Sequence, residues 1–438
     1  MIRHAIAWAL LCGAPYTIVS PALAALPEAP AAAPSGPSSG PPRGLTLSDA
    51  LGLARARHPG LRAAAHAVVS ARARERDASR APTPALGASV ENFGGALAGD
   101  RTEATIALEQ MLQLGGDRAA RGGLAAARTE LASAELAALE RQVEAATVER
   151  FCAAWLLQER VGLLHAAVGS AAAAAAAAAE RFRAGGAPAH EEARARAFLA
   201  LRQIELERSR RDLHSARRRL ALDWGGDGSG VDSLVLPPAE VAIPPALDSL
   251  IPGLAAHPEL RRAAAERLRE DRQLRLARAE RVPDLTLGAG ARHLAEAGGT
   301  GFVATLSVPL PLPGAGLGAV RAATASLAAA ELGAEALLVR LRADLRDAHE
   351  RALAVLEANR ELRARALPAL EDALRTLSAG FRAGRFSQLE VQEAHRSLLD
   401  ARVLERETTA DAWRTRHEID RLAGGPPASR DGAGEVRR

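Results

Sequence analysis

The sequence predicts a mainly α-helical fold with a smaller β portion, built from two copies of one structural unit. A turn motif occurs twice, as RFRAGGAP at 181–188 and GFRAGRFS at 380–387, each between long runs of Ala, Leu, Arg and Glu. The second copy follows the first by 199 residues, the distance from Phe182 to Phe381. In each unit a pair of short strand-like segments precedes the long helical run.

The 199-residue spacing recurs along most of the chain. HPGLRAAA at 58–65 corresponds to HPELRRAAA at 257–265. Further pairs at this spacing are Pro84 with Pro283, Leu139 with Leu338, Leu199 with Leu398, and Gly225 with Gly424. A general likeness of Ala-rich helices explains the alanines but not the placed prolines and glycines. We therefore expect a tandem duplication, with unit 1 at 45–226, a connector at 227–243 and unit 2 at 244–425.

Both ends of the chain are predicted to lie outside the repeats. Residues 1–24 have the basic start, apolar stretch and Ala-Leu-Ala ending of a signal peptide. Residues 25–44 are rich in Pro, Ala, Ser and Gly and indicate a linker, and 426–438 indicate a disordered tail. Cleavage after Ala24 removes Cys12 and leaves Cys152 alone, so no intrachain disulfide is expected.

The charge pattern argues against a nucleic-acid partner. The formal net charge is only +4, and the pI of about 10.1 arises because every basic residue other than histidine is arginine. The arginines alternate with glutamates along the helical runs, which is typical of a solvated helix face. Aromatic residues make up only 3% of the chain, too few for a base-stacking platform.

Each unit begins with helix and continues with a β-hairpin. Thr46 and Asp49 have capping-box spacing and open a short helix, and a second helix runs from 61 to 80. Strands are predicted at 85–93 and 102–112, around a turn-rich segment at 94–100. The second unit offers LTLGAGAR and GFVATLSVPL around AEAGGT. A shift of one residue would exchange the two faces of these strands, so the sequence leaves open which face points outward.

Long helices follow each hairpin. The first is predicted from Asp117 to Arg181, and ~65 residues span roughly 100 Å. The second runs from 318 to 379, and Pro368 should kink or break it near its end. The return helix of unit 1 carries a heptad seam at Leu199, Leu206, Leu213 and Leu220. No segment after the signal peptide has the 18 strongly apolar residues of a membrane helix, so any membrane crossing would need strands.

No motif in the sequence indicates an enzyme, a cofactor site or a metal site. There is no HExxH, GxSxG or Walker loop, and no GxGxxG between a strand and a helix. His58 and His257 both precede proline at equivalent positions, which favours helix punctuation over a functional pair. The GGD at 115–117 lacks the following Lys-Ser/Thr of a phosphate loop and is interpreted as a strand-to-helix joint.

The order of these elements resembles the TolC family of outer-membrane efflux ducts, over residues 45–425. One branch is matched more sharply: ENFGG at 91–95 and EATIALEQMLQLGGDRAAR at 103–121 are similar to the cobalt–zinc–cadmium (CzcC-like) branch, as is SVPLPLPG at 307–314. That branch usually has Glu where this chain has Gln113, and often Lys where it has Asp117. Aromatic girdles are nearly absent, with Phe93 and Phe302 among the few aromatics near the strands.

The resemblance implies a homotrimer in the outer membrane, in which four strands per chain close a twelve-stranded β-barrel in lipid and the long helices form a periplasmic α-barrel. It implies the exit duct of a tripartite pump, with a periplasmic adaptor (membrane fusion) protein and an inner-membrane RND transporter as partners. The motifs favour export of divalent heavy-metal cations. Export of organic compounds, or type I protein secretion, through the same duct remains an alternative. A periplasmic adaptor is a further alternative, although adaptors usually have a single hairpin.

The two turns are the candidate functional site. If the strands lie in the membrane, the turns lie a helix length away, at the periplasmic tip. The resemblance places adaptor docking and the closed constriction in this region. The candidate residues are Phe182, Arg183, Gly185, Phe381, Arg382, Gly384 and Arg385. The glycines and phenylalanines are expected to shape the turns. For the arginines, pairing with carboxylates and complementing the helix dipole are both open.

Overall fold

The computed structural model describes residues 44–93, 101–186, 188–228, 230–236, 242–310, 313–383 and 385–424. The expected signal peptide, most of the linker and the tail lie outside these residues, as do the first hairpin loop at 94–100 and Gly384.

Within the described residues, the first repeat and the connector together contain four helices and four strands. Its elements in chain order are β1 (Leu45–Thr46), α1 (Leu47–Arg57), α2 (Pro59–Ala78), β2 (Ala85–Glu91), β3 (Glu103–Leu112), α3 (Asp117–Arg183), α4 (Ala189–Ala221), a 3₁₀ turn (Leu222–Trp224) and β4 (Leu234–Val235). The short strand β4 lies in the predicted connector and pairs in parallel with β1. The connector therefore also ties the start of the first repeat to its end.

The second repeat follows the same plan. Its elements are α5 (Leu247–Leu250), a 3₁₀ turn (Ile251–Ala256), α6 (Pro258–Ala279), β5 (Leu285–Leu294), β6 (Gly299–Ser307), α7 (Leu317–Glu361), a π turn (Leu362–Ala366), α8 (Leu367–Arg382) and α9 (Gln388–Leu422). Helices α3 and α6 contact each other, and so do α3 and α9. The two repeats are therefore packed side by side along their lengths.

Side-chain caps set several helix starts. The Thr46 hydroxyl accepts from the Asp49 N–H at 3.2 Å, and Ser387 and Glu390 form the equivalent box at the start of α9. His58 and His257 are both N-caps, since Nδ1 accepts from the N–H two residues later at 3.1 and 3.2 Å. This confirms the prediction that the two histidines mark helix boundaries. Burial, together with the charge of Arg421, lowers the pKa of His257, which favours the neutral ring that can accept a hydrogen bond.

The long helices differ between the repeats. Helix α3 runs for 67 residues without interruption, two residues beyond its predicted end, which corresponds to about 100 Å. In repeat 2 a π turn ends two residues before Pro368 and the helix then continues to Arg382, so the predicted interruption takes the form of a widened turn. Proline lacks the N–H that would bond the carbonyl of Ala364, and its ring crowds that carbonyl, so the chain widens by one residue there.

The return helix packs through the predicted seam. Leu206, Leu213 and Leu220 are 5%, 8% and 0% exposed, and Leu199 packs against Ala175 and Ala178 of α3. Helices α3 and α4 form the first helical hairpin. At the base of this hairpin, Leu220 joins a core with Phe151, Cys152 and Trp155. A second core lies at the base of the other hairpin, around Leu254, Leu345, Ile419 and Leu422.

By length and composition alone, α3 and the stretch Leu317–Arg382 each contain a segment apolar enough to cross a membrane. The sequence had not been expected to contain such a segment, and alanine accounts for the difference. Alanine counts as apolar, but it is small and a strong helix former, so long Ala-rich helices also occur in contact with water. The finding is therefore weak support for a membrane-crossing helix.

Four strands form one antiparallel sheet in the order β2-β3-β5-β6. Both predicted β-hairpins, β2-β3 and β5-β6, are present. Their strand ends lie within two residues of those expected, apart from a longer β5 and an earlier end to β6. The hairpins join through β3 and β5, where Glu103 pairs with Leu294 and Leu112 with Leu285. This register decides which residues share a face, the point that the sequence left open.

Candidate functional site

The sheet has one strongly apolar face. Residues directly opposite each other share a face, so Leu86, Leu108, Ala289 and Ala304 form one row. The next row is Ala88, Ile106, Ala291 and Phe302. Most large side chains of this face are exposed, from Leu112 at 39% to Phe302 at 99%. So much exposed apolar surface requires an apolar environment or a partner.

The other face carries mainly small and polar side chains, with Met111, Leu294 and Val303 as its larger apolar members. The small and polar ones are Ser89, Glu91, Glu103, Thr105, Glu109, Thr286, Arg292, Thr305 and Ser307, together with Gly288 and Gly290. Arg292 donates to Glu103 Oε2 at 3.0 Å and to Thr105 Oγ1 at 3.0 Å. The two faces of the sheet therefore differ in polarity, as side chains that alternate along each strand allow.

The turn that joins α3 to α4 and the turn that joins α8 to α9 share one backbone geometry. In repeat 1 the Gly186 N–H donates to Arg181 O at 2.8 Å and the Gly185 N–H to Phe182 O at 3.0 Å. This is a Schellman motif, and Gly185 has the left-handed φ of 71° that it needs. In repeat 2 the Arg385 N–H donates to Gly380 O at 2.8 Å, the equivalent bond.

The predicted tip residues are mostly exposed. Phe182 is 41% exposed, and Arg183, Gly185, Arg382 and Arg385 are also exposed, while Phe381 is half-buried. No ion pair within the described part of the chain involves Arg183, Arg382 or Arg385, although Arg382 Nε donates to Ser378 O at 3.3 Å. Their roles in docking stay predictions, as does that of Gly384.

Two residues that the sequence did not single out organise the tip. The Arg181 guanidinium lies over the Phe381 ring, 4.6 Å from its centroid, and links hairpin 1 to hairpin 2. Phe386 packs on Gly380, where an added Cβ would lie 2.3 Å from its ring. The 199-residue comparison would have drawn attention to the first contact, because Arg181 stands where repeat 2 has Gly380.

A cavity of about 100 Å³ separates the two hairpins just above the tip. Its wall includes the alanine run of α3, Phe198, Phe381 and His395. Burial lowers the pKa of His395, so its ring is neutral at neutral pH. Gln388 and Gln392 also line the cavity, and each has one amide atom without a hydrogen-bond partner in the described residues.

A buried polar cluster lies above this cavity, beside the π turn. Arg363 Nε donates to Glu405 Oε1 at 2.7 Å, and Asn359 Nδ2 donates to Thr408 Oγ1 at 2.8 Å and Thr409 Oγ1 at 3.1 Å. The side chain of Glu405 is 9% exposed. Sequence reasoning missed the cluster, although the repeat comparison contains its signal as polar residues at apolar positions.

A larger cavity, of about 280 Å³, lies at the base of the hairpins between α1, α3 and α9. Ion pairs border it, including Arg55 with Glu144 at 2.7 Å and Arg414 with Glu149 at 3.1 Å. The second pair joins α9 of repeat 2 to α3 of repeat 1. Burial lowers the pKa of His417, which also lines the cavity. Within the described ranges, no group of three or more His, Cys, Asp or Glu side chains could hold a metal ion.

Comparison with known proteins agrees with this architecture. Residues 253–425 match the outer membrane efflux protein family. The chain is 29% identical over 387 residues to the cobalt-zinc-cadmium resistance protein CzcC of Cupriavidus metallidurans, covering 87% of this chain and 90% of that protein.

Two solved structures show the same fold. The outer membrane protein VceC of Vibrio cholerae has a TM-score of 0.72 at 20% identity, covering 86% of this chain and 96% of VceC. CusC has a TM-score of 0.74 at 17% identity, covering 87% and 92%. The expected resemblance to outer-membrane efflux proteins, and to a cobalt–zinc–cadmium resistance protein among them, is thereby confirmed.

Proposed function

Taking residues 253–425 as an outer membrane efflux protein domain, we propose that this chain is the outer-membrane exit duct of a tripartite pump that exports divalent heavy-metal cations. The observation that carries the proposal is the two-faced sheet joined to two long helical hairpins. An apolar face meets lipid, a polar face lines a water-filled lumen, and helices of about 100 Å extend the duct into the periplasm.

The duct is a homotrimer. Strands β2 and β6 form the two edges of the described sheet, and each pairs on one side only. Open strand edges do not persist in lipid, because the unpaired N–H and C=O groups have no water to bind. Edge pairing between chains removes both edges, and three copies of four strands give a barrel of twelve. The exposed apolar side chains then contact outer-membrane lipid.

The cargo is assigned from the likeness to CzcC, whose name states cobalt, zinc and cadmium resistance. The matching segments span most of the chain, so the assignment rests on more than one motif. The described residues contain no cluster that would hold such ions tightly. This suits a passive duct, through which cargo must pass without being retained.

The partners are an energised inner-membrane RND transporter and a periplasmic adaptor that meets the duct at the tip. The exposed ring of Phe182 and the exposed arginines Arg183, Arg382 and Arg385 are available to such a partner. Exposed arginines at the turn of each helical hairpin fit a partner surface that carries carboxylates. No catalytic role is assigned to any residue.

The test is a deletion strain complemented with the wild-type chain or with an empty vector. Sensitivity to Co²⁺, Zn²⁺ and Cd²⁺ is measured beside sensitivity to a panel of organic compounds. We expect deletion to sensitise cells to the metals and complementation to restore resistance. Unchanged metal resistance with new sensitivity to organic compounds would assign the duct to organic cargo instead. A soluble monomer in the periplasmic fraction would contradict the duct itself.

A further inference from the structure

The joint between the sheet and the helices contains two carboxyl groups for which the duct function has no use. Asp117 is the first residue of α3 and is only 5% exposed, and Asp284 immediately precedes β5. In both side chains Oδ1 is buried and has no hydrogen-bond partner in the described part of the chain. A buried carboxylate oxygen without a donor is costly, so each of these oxygens favours a cation or a proton as its partner.

The surroundings add a further oxygen ligand beside the N–H groups at the start of α3. A Cβ atom built on Gly115 would lie 2.4 Å from the main-chain oxygen of Ala279 and 3.0 Å from Asp117 Oδ1. Both oxygens therefore border the notch that Gly115 leaves open. Ala279 is the last residue of α6, so the negative end of that helix also points there. Its carbonyl accepts from the Val282 N–H at 3.0 Å and has a second lone pair.

Arg121 does not neutralise the pair. Burial first, and the charge of Asp284 second, raise the pKa of Asp117, while Arg121 opposes them without reversing the shift. The Arg121 guanidinium is used elsewhere, since Nη2 donates to Gln113 Oε1 at 2.6 Å. The joint thus retains carboxylate oxygens for which Arg121 supplies no hydrogen-bond donor.

We propose that Asp117, Asp284 and the Ala279 carbonyl bind one Ca²⁺ ion, which ties repeat 1 to repeat 2 beneath the sheet. All three ligands are oxygens, the donor type that hard cations prefer. Ca²⁺ accepts carboxylates and main-chain carbonyls in irregular geometry and completes its coordination with water, whereas Mg²⁺ demands a near-ideal octahedron. The site contains no nitrogen or sulfur ligand that would select Zn²⁺. It is separate from the proposed cargo and does not depend on it.

The corresponding joint of the other repeat has no such pair. At the 199-residue spacing Gly316 stands in the place of Asp117, and Ala85 in the place of Asp284. A Cβ on Gly316 would lie 2.8 Å from Arg281 Cγ, so an arginine packs there instead. Each chain therefore carries one site.

The experiment uses the full mature chain, purified in detergent as its native oligomer and stripped with EDTA. Equilibrium dialysis against radioactive Ca²⁺ measures the ions bound per chain, and thermal unfolding is followed with and without Ca²⁺ at about 1 mM, the range of weak extracellular sites. We expect about one Ca²⁺ per chain and a rise in Tm of a few degrees, because a ligand of the folded state stabilises it.

Asp117→Asn and Asp284→Asn should each abolish both effects. Asp77→Asn is the control, because Asp77 is an exposed acid at the end of α2 that pairs with Arg80 at 3.1 Å. It should bind Ca²⁺ like the wild type. Absence of bound Ca²⁺ in the wild type, or equal binding by the two Asn variants, would overturn the proposal. Stabilisation by acid but not by Ca²⁺ would overturn it too, and would assign a shared proton to the pair.

Discussion

Arg363 and Glu405 form a hydrogen-bonded ion pair where the first repeat places Leu164 and Leu206, the residues at the same positions of the 199-residue repeat. Both leucines are buried, at 4% and 5% exposure. The ion pair lies at the π turn before Pro368, whereas α3 passes the equivalent level unbroken. The two helical hairpins therefore share a plan but differ in their interior at one level. Repeat 1 has apolar packing there, and repeat 2 has the ion pair of Arg363 and Glu405, which we call the polar clasp.

The polar clasp gives the first prediction. Glu405→Ala removes the acceptor and leaves the arginine unpaired, so we expect a cost of about 1–3 kcal/mol, discounted because Arg363 is 42% exposed. The double substitution Arg363→Leu with Glu405→Leu copies repeat 1 and should be close to neutral. Thermal unfolding of the purified oligomer measures both. A double variant that is as unstable as the single one would contradict this reading of the clasp.

Leu164→Ala in repeat 1 is the matched control. It deletes a buried apolar side chain and should cost about 2–5 kcal/mol, without any change in charge.

The sheet register gives a second prediction. Leu108 lies on the apolar face and is 54% exposed, while its neighbour Glu109 lies on the polar face. Leu108→Arg places a charge in lipid at a cost of about 2–4 kcal/mol per chain near the bilayer centre, and should deplete assembled protein from the outer membrane. Glu109→Arg, one residue away, should assemble normally. Native gels of the outer-membrane fraction compare the two. Loss of Glu109→Arg alone would mean that the faces are reversed, and normal assembly of both variants would contradict a lipid-facing surface at Leu108.

Orientation across the membrane gives a third prediction. A cysteine at Ala297, in the β5–β6 turn, should react with an impermeant maleimide on intact cells. A cysteine at Ala184, in the exposed tip turn, should react only after the outer membrane is permeabilised. The other hairpin loop, at 94–100, is expected to face outward as well but lies outside the described residues. Labelling of the Ala184 variant on intact cells would contradict the orientation.

The native cysteine supplies a low background for this experiment. Cys152 is 0% exposed, and burial raises its pKa to about 12, so at neutral pH the thiol is protonated and unreactive. The wild type should remain unlabelled as the pH rises from 7 to about 9, because that range is still below the raised pKa.

The tip turns give a fourth prediction. Gly185 has φ 71°, which a β-branched residue adopts only with strain, so Gly185→Val together with Gly384→Val should deform the turns. Trimer assembly should survive, because the turns lie about 100 Å from the sheet, while crosslinking to the adaptor and efflux are lost. Gly185→Asn is the matched control, since asparagine tolerates the left-handed conformation. Normal efflux by the valine trimers would remove the docking role from these turns.

The sequence alone determined the repeat, the helices and the caps, because these depend on local features. The spacing of 199 residues located both turns, Thr46 and Ser387 marked helix starts that the structure confirms, and Pro368 marked the region of the π turn in the second long helix. Each of these signals acts within a few residues of its cause, through a missing N–H, a capping oxygen or a left-handed glycine.

Only the tertiary structure decided which strand faces form one surface and which distant side chains meet. The apolar and polar faces follow from the register between β3 and β5, and a shift of one residue would have exchanged them. Asp117 and the Ala279 carbonyl border the same notch at Gly115, and Arg181 lies over the Phe381 ring, across separations of more than a hundred residues. Contacts of this kind depend on how whole helices pack against each other, and a periodic pattern within one helix carries no record of its partner's position.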